Sequence, residues 1–171
     1  MTHVTDRFVD LVQEGFDIAV RSHFAPLPDS TLMQRRIDIQ PVVIVAAPAY
    51  LNERGRPLHP QELSKHDGLL VSPSATTWRL FSEGADNIEV APIPRMTADE
   101  SLMLMSAAAA GLGLACLPEG ICRPYIENGD LVRVLPDWTA GEVTTTLLTP
   151  HRRSQLPAVR AVIDFLAENR G

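Results

Sequence analysis

Apolar and polar positions change along this chain in a rhythm that predicts short strands alternating with helices. The run from Val42 to Ala46 is apolar throughout and mostly β-branched, which is typical of a strand buried on both faces. Between residues 157 and 169 the spacing is helical and predicts one apolar face, made by Val159, Val162, Ile163 and Leu166. In all, we predict strands at 16–20, 42–46, 68–72, 113–118, 131–138 and 143–148 and helices at 5–13, 48–54, 59–66, 102–110, 119–129 and 157–169.

This alternation of strands and helices predicts an α/β fold. Two of the strands, 42–47 and 143–149, enclose a compact α/β segment, so a lobe would be entered by one strand and left by the other. We expect this lobe to span residues 42–149. Residues 1–41 and 150–171 would then belong to a second lobe, which has a single clear strand and two helices and is expected to be incomplete.

Composition limits the classes of function that the chain can have. It has 171 residues, 45% of them hydrophobic, and a net charge of −6. An acidic chain without a basic stripe is a poor nucleic-acid binder, because phosphate neutralisation supplies most of that affinity. No segment has the pattern of a signal peptide or a membrane span, so we expect a cytoplasmic protein without a membrane partner. Cys116 and Cys122 are not spaced as a CxxC pair and are expected to be reduced thiols.

The stretch VDLVQEGFDIAVR, residues 9–21, predicts the end of a helix, a glycine stop and a short buried strand closed by Arg21. Ligands in open α/β sheets collect at the carboxyl ends of strands. A guanidinium at such an end could hold a carboxylate through two parallel hydrogen bonds, which makes Arg21 a candidate binding residue. The alternative is a surface arginine or a structural ion pair.

Two further stretches carry polar groups where a ligand could bind. SPSATT, residues 72–77, follows a predicted strand, and its hydroxyls and amides could cradle an anion or a polar ligand. An ordinary turn rich in Ser and Thr is the alternative. The sequence from Thr97 to Glu100 fits a capping box at the start of a helix, whose amides favour a bound anion. A plain cap is the favoured interpretation there, because Asp99 and Glu100 already partly satisfy that helix end.

No pattern of a catalytic or metal site is visible in the sequence. AGLG, residues 110–113, has a helix before its glycines and a strand after them, the reverse of a dinucleotide-binding motif. None of the five histidines lies in a metal-binding spacing, and no GxSxG motif is present. We therefore expect no cofactor, no metal and no catalytic residue.

Taken together, the segments resemble the effector-binding domain of a LysR-type transcriptional regulator. They stand in the order of that family: VDLVQEGFDIAVR, VVIVAAPAYLNERGRPLHPQELSKHDGLL, TTWRLF, AAAAGLGLACLP and GDLVRVLPDW. The resemblance covers nearly all of residues 5–168. It implies a type 2 periplasmic-binding-protein fold, in which two α/β lobes are joined by two crossing strands and a small effector binds in the cleft between them.

The resemblance also implies roles for particular residues. The arginine that closes the FDIAVR-type strand often faces the cleft, which assigns that role to Arg21. The loop after the GLLVS-type strand lines the cleft and assigns effector contacts to Ser72, Pro73, Ser74 and Trp78. The helix start with Thr97 and Asp99 is expected close by.

The function expected from these features is the sensing of a small polar or anionic effector. Members of the family begin with a winged helix-turn-helix, and no such pattern stands in this sequence, so DNA binding would depend on a parent domain absent from an N-terminally truncated chain. The missing strands would leave an open sheet edge beside residues 16–20, and self-association is therefore expected. The alternatives are a standalone solute-binding protein and a small α/β hydrolase using Ser72 or Ser74.

Overall fold

A computed structural model of the chain describes residues 11, 13–28, 30–151 and 156–168, and these residues fall into two compact units. Unit 1 lies within residues 1–39 and 144–171, and unit 2 comprises residues 40–143. Two long strands, β2 (Leu32–Ala46) and β9 (Glu142–Pro150), continue from one unit into the other. The boundaries predicted after residues 41 and 149 lie within these same two strands.

Unit 1 contains the edge strand β1 (Ala19–His23) and the C-terminal helix α4 (Pro157–Glu168). Strand β1 pairs antiparallel with β9, so that Ala19 lies opposite Leu148 and Arg21 opposite Thr146. The predicted C-terminal helix is confirmed, but its apolar face is only partly covered. Val159 is buried, whereas Val162 is 46% exposed.

The prediction for the first strand was wrong in position and in burial. The strand covers Ala19–His23 instead of residues 16–20, so Arg21 lies at its centre and does not close it. Val20 is 56% exposed, which shows that one face of the strand is open. Pairing with β9, more than a hundred residues away, sets these bounds. The local sequence pattern does not indicate that pairing. Most of the predicted helix 5–13 lies outside the described residues.

Unit 2 is an α/β unit built on the second half of β2. Its remaining elements are, in chain order, α1 (Pro48–Arg54), a 3₁₀ helix (Pro60–Lys65), β3 (Asp67–Leu70), β4 (Trp78–Leu80), β5 (Ile88–Val90), β6 (Ile93–Thr97), α2 (Ser101–Ala109), β7 (Leu114–Pro118), α3 (Glu119–Glu127) and β8 (Val132–Val134). The strand order is β2-β7-β3-β6, with β8 also pairing with β2 and with β4 and β5 forming a separate hairpin. Strand β3 runs parallel to both β6 and β7, and β2 runs antiparallel to β7.

The core of unit 2 lies on both faces of this sheet. Alternate residues of β2 point to opposite sides, so Val43 and Val45 pack in one apolar cluster and Ile44 in the other. Each of these three side chains is fully buried. The prediction of a strand buried on both faces is therefore confirmed. Helices α2 and α3 cover the Val43 side, and α1 and the 3₁₀ helix cover the Ile44 side.

The predicted capping box at Thr97 was wrong. Thr97 is the last residue of β6, a strand that the sequence pattern did not predict, and it pairs with Leu70 of β3. Helix α2 begins at Ser101 with Glu100 as its N-cap, and no side chain caps it. The stop predicted at Gly111 is confirmed, because Gly111 has a φ of 80° and the Leu112 amide donates to the Ala107 carbonyl at 3.1 Å.

Candidate functional site

Polar residues converge at one edge of the sheet in unit 2. Strands β3, β6 and β7 run in the same direction, so their carboxyl ends meet at this edge, where α/β sheets collect ligands. The Ala98 amide donates a hydrogen bond to the Leu70 carbonyl at 3.0 Å. The segments that follow β3 and β6 are therefore neighbours. We call residues 71–75 and 97–100 the β3/β6 edge; it brings together the predicted residues Ser72, Pro73, Ser74, Thr97 and Asp99.

The serines of this edge form a tight turn. The Ser72 hydroxyl oxygen accepts a hydrogen bond from the Ala75 amide at 3.1 Å and lies 3.0 Å from the Ser74 hydroxyl oxygen. Ser72 is half-buried, whereas Pro73 and Ser74 are exposed. The turn thus fixes Ser72 and presents the Ser74 hydroxyl to solvent. The Ser-rich turn is confirmed, and a ligand contact by its polar groups stays a prediction.

The start of α2 lies at the same edge. Thr97, Asp99 and Glu100 are all exposed. The first turn of α2 carries no acidic side chain and no side-chain cap, so its amides keep their preference for an anion. Asp99 and Glu100 precede these amides directly in the chain, and their carboxylates would oppose an anion bound there.

A third element at this edge was missed by the sequence reasoning. Helix α3 starts where β7 ends, and its Gly120 amide donates to the side-chain oxygen of Gln40 at 2.9 Å. Gln40 stands two residues before Val42, which pairs with Pro118 at the end of β7. A Cβ on residue 120 would lie 2.5 Å from that Gln40 oxygen, so a larger residue would require the end of the Gln40 side chain to shift. The one signal in the sequence was a glycine in the first turn of a predicted helix. Glycine destabilises a helix, so its presence there indicates a close contact with another part of the chain.

Trp78 occupies a different position from the other predicted residues. It is 8% exposed and packs with Leu80 and Val90 in the core cluster on the Ile44 side of unit 2. Its described contacts give it a packing role. An effector contact by Trp78 stays a prediction.

Arg21 belongs to unit 1 and is half-buried in the middle of β1. Side chains alternate along a strand, so Arg21 shares a face with His23 and with Thr146 of the paired strand. Nε2 of His23 forms a hydrogen bond of 2.9 Å with the Thr146 hydroxyl. Nδ1 of the same ring lies 2.7 Å from the Ala25 carbonyl oxygen. Arg21 therefore stands in a polar environment, beside hydroxyl and imidazole groups.

A buried polar cluster lies at the opposite edge of unit 2, where β3 begins. The Tyr50 hydroxyl accepts from the Asp67 amide at 2.9 Å and lies 3.2 Å from Nδ1 of His66. Arg54 pairs with the Asp67 carboxylate at 3.3 Å. Burial, and secondarily the Arg54 charge, lowers the pKa of His66, and burial raises the pKa of Tyr50. This cluster is remote from the β3/β6 edge and fixes α1 to β3.

Burial suppresses ionisation of the two thiols of unit 2. Cys116 and Cys122 are free, and Cys122 is fully buried. Burial, assisted by the Glu119 charge, raises the pKa of Cys122 to about 11, and burial raises the pKa of Cys116 further still. A thiol with so high a pKa holds almost no thiolate at neutral pH.

No described helix is long and apolar enough to cross a membrane. Within the same part of the chain, His, Cys, Asp and Glu side chains form no group of three or more that could hold a metal ion.

Comparison with known proteins places the chain in a family. The sequence profile described as "LysR substrate binding domain" matches residues 1–171. An HTH-type transcriptional regulator of Xanthomonas campestris is 32% identical over 170 residues, which cover 96% of this chain and 48% of that protein. The chain spans about half the length of the curated relatives it matches.

Solved structures agree with the sequence comparison. The full-length structure of AphB, a virulence activator of Vibrio cholerae and a member of the LTTR protein family, has a TM-score of 0.81 and 29% identity, covering 97% of this chain and 56% of that one. The regulatory domain of CrgA, a LysR-type transcriptional regulator from Neisseria meningitidis, has a TM-score of 0.83 and 25% identity, covering 98% and 81%.

These matches confirm the expected α/β, type 2 periplasmic-binding-protein fold, and the relatives are bacterial transcriptional regulators. The chain belongs to the LysR substrate-binding domain family and forms an effector-binding regulatory domain of the LysR type.

Proposed function

We propose that this domain senses a small polar or anionic molecule that binds at the β3/β6 edge. The observation that carries the proposal is the Ala98–Leu70 hydrogen bond, because it brings an exposed serine loop beside an uncapped helix start. The Ser74 hydroxyl and the first amides of α2 supply neutral donors, which suit a carboxylate or a phosphate.

Arg21 would supply a charged contact from unit 1. A guanidinium binds a carboxylate through two parallel hydrogen bonds, a geometry that neutral donors cannot reproduce. Its half-buried position in β1 limits the number of conformations it can take and so lowers the entropy lost on binding. Binding in an interlobe cleft, as the family resemblance implies, stays part of this proposal.

The signal would be a change in the populations of two arrangements of the domain. An effector shifts such an equilibrium only as far as its affinities for the two arrangements differ. The affinities would differ if the ligand contacted residues of both units in one arrangement and of a single unit in the other. The readout would be DNA binding by a cytoplasmic regulator, through a DNA-binding part other than residues 1–171.

The alternatives receive less support. A hydrolase would need a base beside its nucleophile. Among the described residues, the Ser72 and Ser74 hydroxyls hydrogen-bond each other and a backbone amide, and neither bonds a histidine or a carboxylate. A standalone solute-binding protein would share the fold, but the relatives are named as transcriptional regulators.

Calorimetric titration of the chain with succinate, citrate and inorganic phosphate tests this proposal. Loss of one neutral hydrogen bond weakens binding by about three- to tenfold, so Ser74→Ala should weaken the anion that binds best by that factor. Ser64→Ala is the matched control, because Ser64 is an exposed serine on the 3₁₀ helix before β3. Equal affinities of the two variants would exclude Ser74 as a contact of the anion. Labelling of Ser72 or Ser74 by a serine-reactive probe would favour the hydrolase.

A further inference from the structure

A second concave site lies wholly within unit 1. It is a pocket of about 550 Å³ between α4 and the first part of β2 and the last part of β9. Pockets of 300–1,000 Å³ are typical of small-molecule sites. Its floor and one wall are apolar and consist of Met33, Leu147 and Ile163, of which Leu147 is 1% exposed.

The polar lining of this pocket carries a positive balance. Arg35 and Asp164 both line it and form an exposed ion pair of 3.0 Å. Arg160, one turn before Asp164 on α4, also lines the pocket, and among the described residues its guanidinium forms no ion pair. Two arginines against one aspartate leave one net positive charge, apart from His151 at the rim.

A threonine completes the polar lining. Thr149 is 3% exposed and lines the pocket from β9. Leu147 and Thr149 are two residues apart on one strand, so both side chains point to the same face of the sheet and into the pocket.

The pocket is distinct from the environment of Arg21. Arg21 pairs with Thr146, and alternation along β9 places Thr146 on the opposite face from Leu147 and Thr149. A ligand in the pocket would therefore be separated from Arg21 by the thickness of the sheet. Effects at the two places can be distinguished by mutation.

We propose that this pocket binds an amphiphilic monoanion, a carboxylate attached to an aliphatic body. The carboxylate pairs with the Arg160 guanidinium and accepts a hydrogen bond from the Thr149 hydroxyl. The aliphatic body lies on Leu147, Ile163 and Met33. The positive balance of the described lining favours an anion over a cation. The apolar floor selects against small hydrophilic anions such as phosphate, because burying that floor under a hydrated ion gains nothing.

The probe for this site is octanoate, with octanamide as its neutral counterpart, titrated into the full chain by calorimetry. We expect saturable binding of one octanoate, with octanamide bound about tenfold more weakly or not at all, because a charge-assisted hydrogen bond is worth more than a neutral one. Arg160→Gln should remove this preference for the anion. Arg123→Gln, an exposed arginine on α3 in unit 2, should leave it unchanged.

Thr149→Val keeps the shape of the side chain and removes the hydroxyl, and it should weaken octanoate by about three- to tenfold. If this buried variant fails to fold, the comparison of Arg160→Gln with Arg123→Gln still decides. No binding of octanoate to the unmodified chain, equal binding of octanamide, or an unchanged preference in Arg160→Gln would each overturn the proposal. A loss of octanoate binding in Arg21→Ala would also overturn it, since that would locate the probe on the other face of the sheet.

Discussion

The carbonyl oxygen of Leu70 accepts a hydrogen bond of 3.0 Å from the amide of Ala98, across 28 positions of the chain. This bond extends the parallel pairing of β3 and β6 one step beyond the last paired residues, Leu70 and Thr97. It joins residues 71–75 and 97–100, which are far apart in the sequence, into one surface. The proposed effector site depends on it.

The first prediction concerns the order of this surface. The Ala98 amide should exchange its hydrogen slowly in native-state exchange followed by NMR, because its donor is used in the sheet. The amide of exposed Asp99, one residue on, serves as the internal control and should exchange fast. If both amides exchanged at the same fast rate, the two segments would not form one surface.

A second prediction tests the contact at the start of α3. Gly120→Ala should destabilise the fold by about 0.5–1.5 kcal/mol, because the added Cβ displaces the end of the Gln40 side chain and breaks its hydrogen bond to the part-buried amide. In a Gln40→Ala background the same change should cost much less, since the clash is gone and alanine favours the helix. Urea unfolding of the four proteins measures this coupling. Equal costs in both backgrounds would show that the contact is not formed in solution.

A third prediction concerns pH. His66 is 6% exposed, and burial together with the Arg54 charge lowers its pKa below the ordinary value of about 6.5. Below that value the unfolded chain takes up a proton before the folded one does. The contribution of neutral His66 to the free energy of unfolding is therefore complete above pH 6.5. It is lost as pH falls through the folded pKa, at a rate of at most about 1.4 kcal/mol per pH unit.

Urea midpoints at pH 7.5 and pH 5.5 measure this effect. The unmodified chain should lose more stability over this interval than His66→Gln, in which the titrating group is absent. His59→Gln removes an exposed histidine and should retain the pH dependence of the unmodified chain. An identical pH dependence in the unmodified chain and in His66→Gln would refute the assignment.

A fourth prediction concerns self-association through β1. Within the described residues β1 pairs with β9 alone, and Val20 and Phe24 beside that edge are 56% and 71% exposed. Unpaired strand edges with apolar side chains pair with other copies. Light scattering should show a mass that rises with micromolar protein concentration, and Val20→Lys should lower it. Val71→Lys, at a 46% exposed valine in unit 2, is the control that should leave it unchanged.

Local patterns were sufficient to predict much of the fold. The fully apolar run at Val42 needs no partner to be recognised as a buried strand, and Gly111 ends a helix because its own backbone adopts a positive φ. The order of motifs led to the family, and the family to the fold.

Long-range pairing explains what the sequence could not show. Thr97 has the residue type of a helix cap, but its pairing with β3 keeps it extended and moves the helix start to Ser101. Arg21 lies within β1 because β9 sets the register. The Gln40 contact joins residues 80 positions apart, so neither partner has a local signature.

Amide NMR of the full chain titrated with succinate, citrate and inorganic phosphate shows whether the β3/β6 edge binds the effector. At least one of these anions should give saturable shifts centred on residues 72–75 and 97–102, with a second set at Arg21. Shifts confined to other parts of unit 2, or no saturable shift with any of the three anions, would contradict binding at this edge.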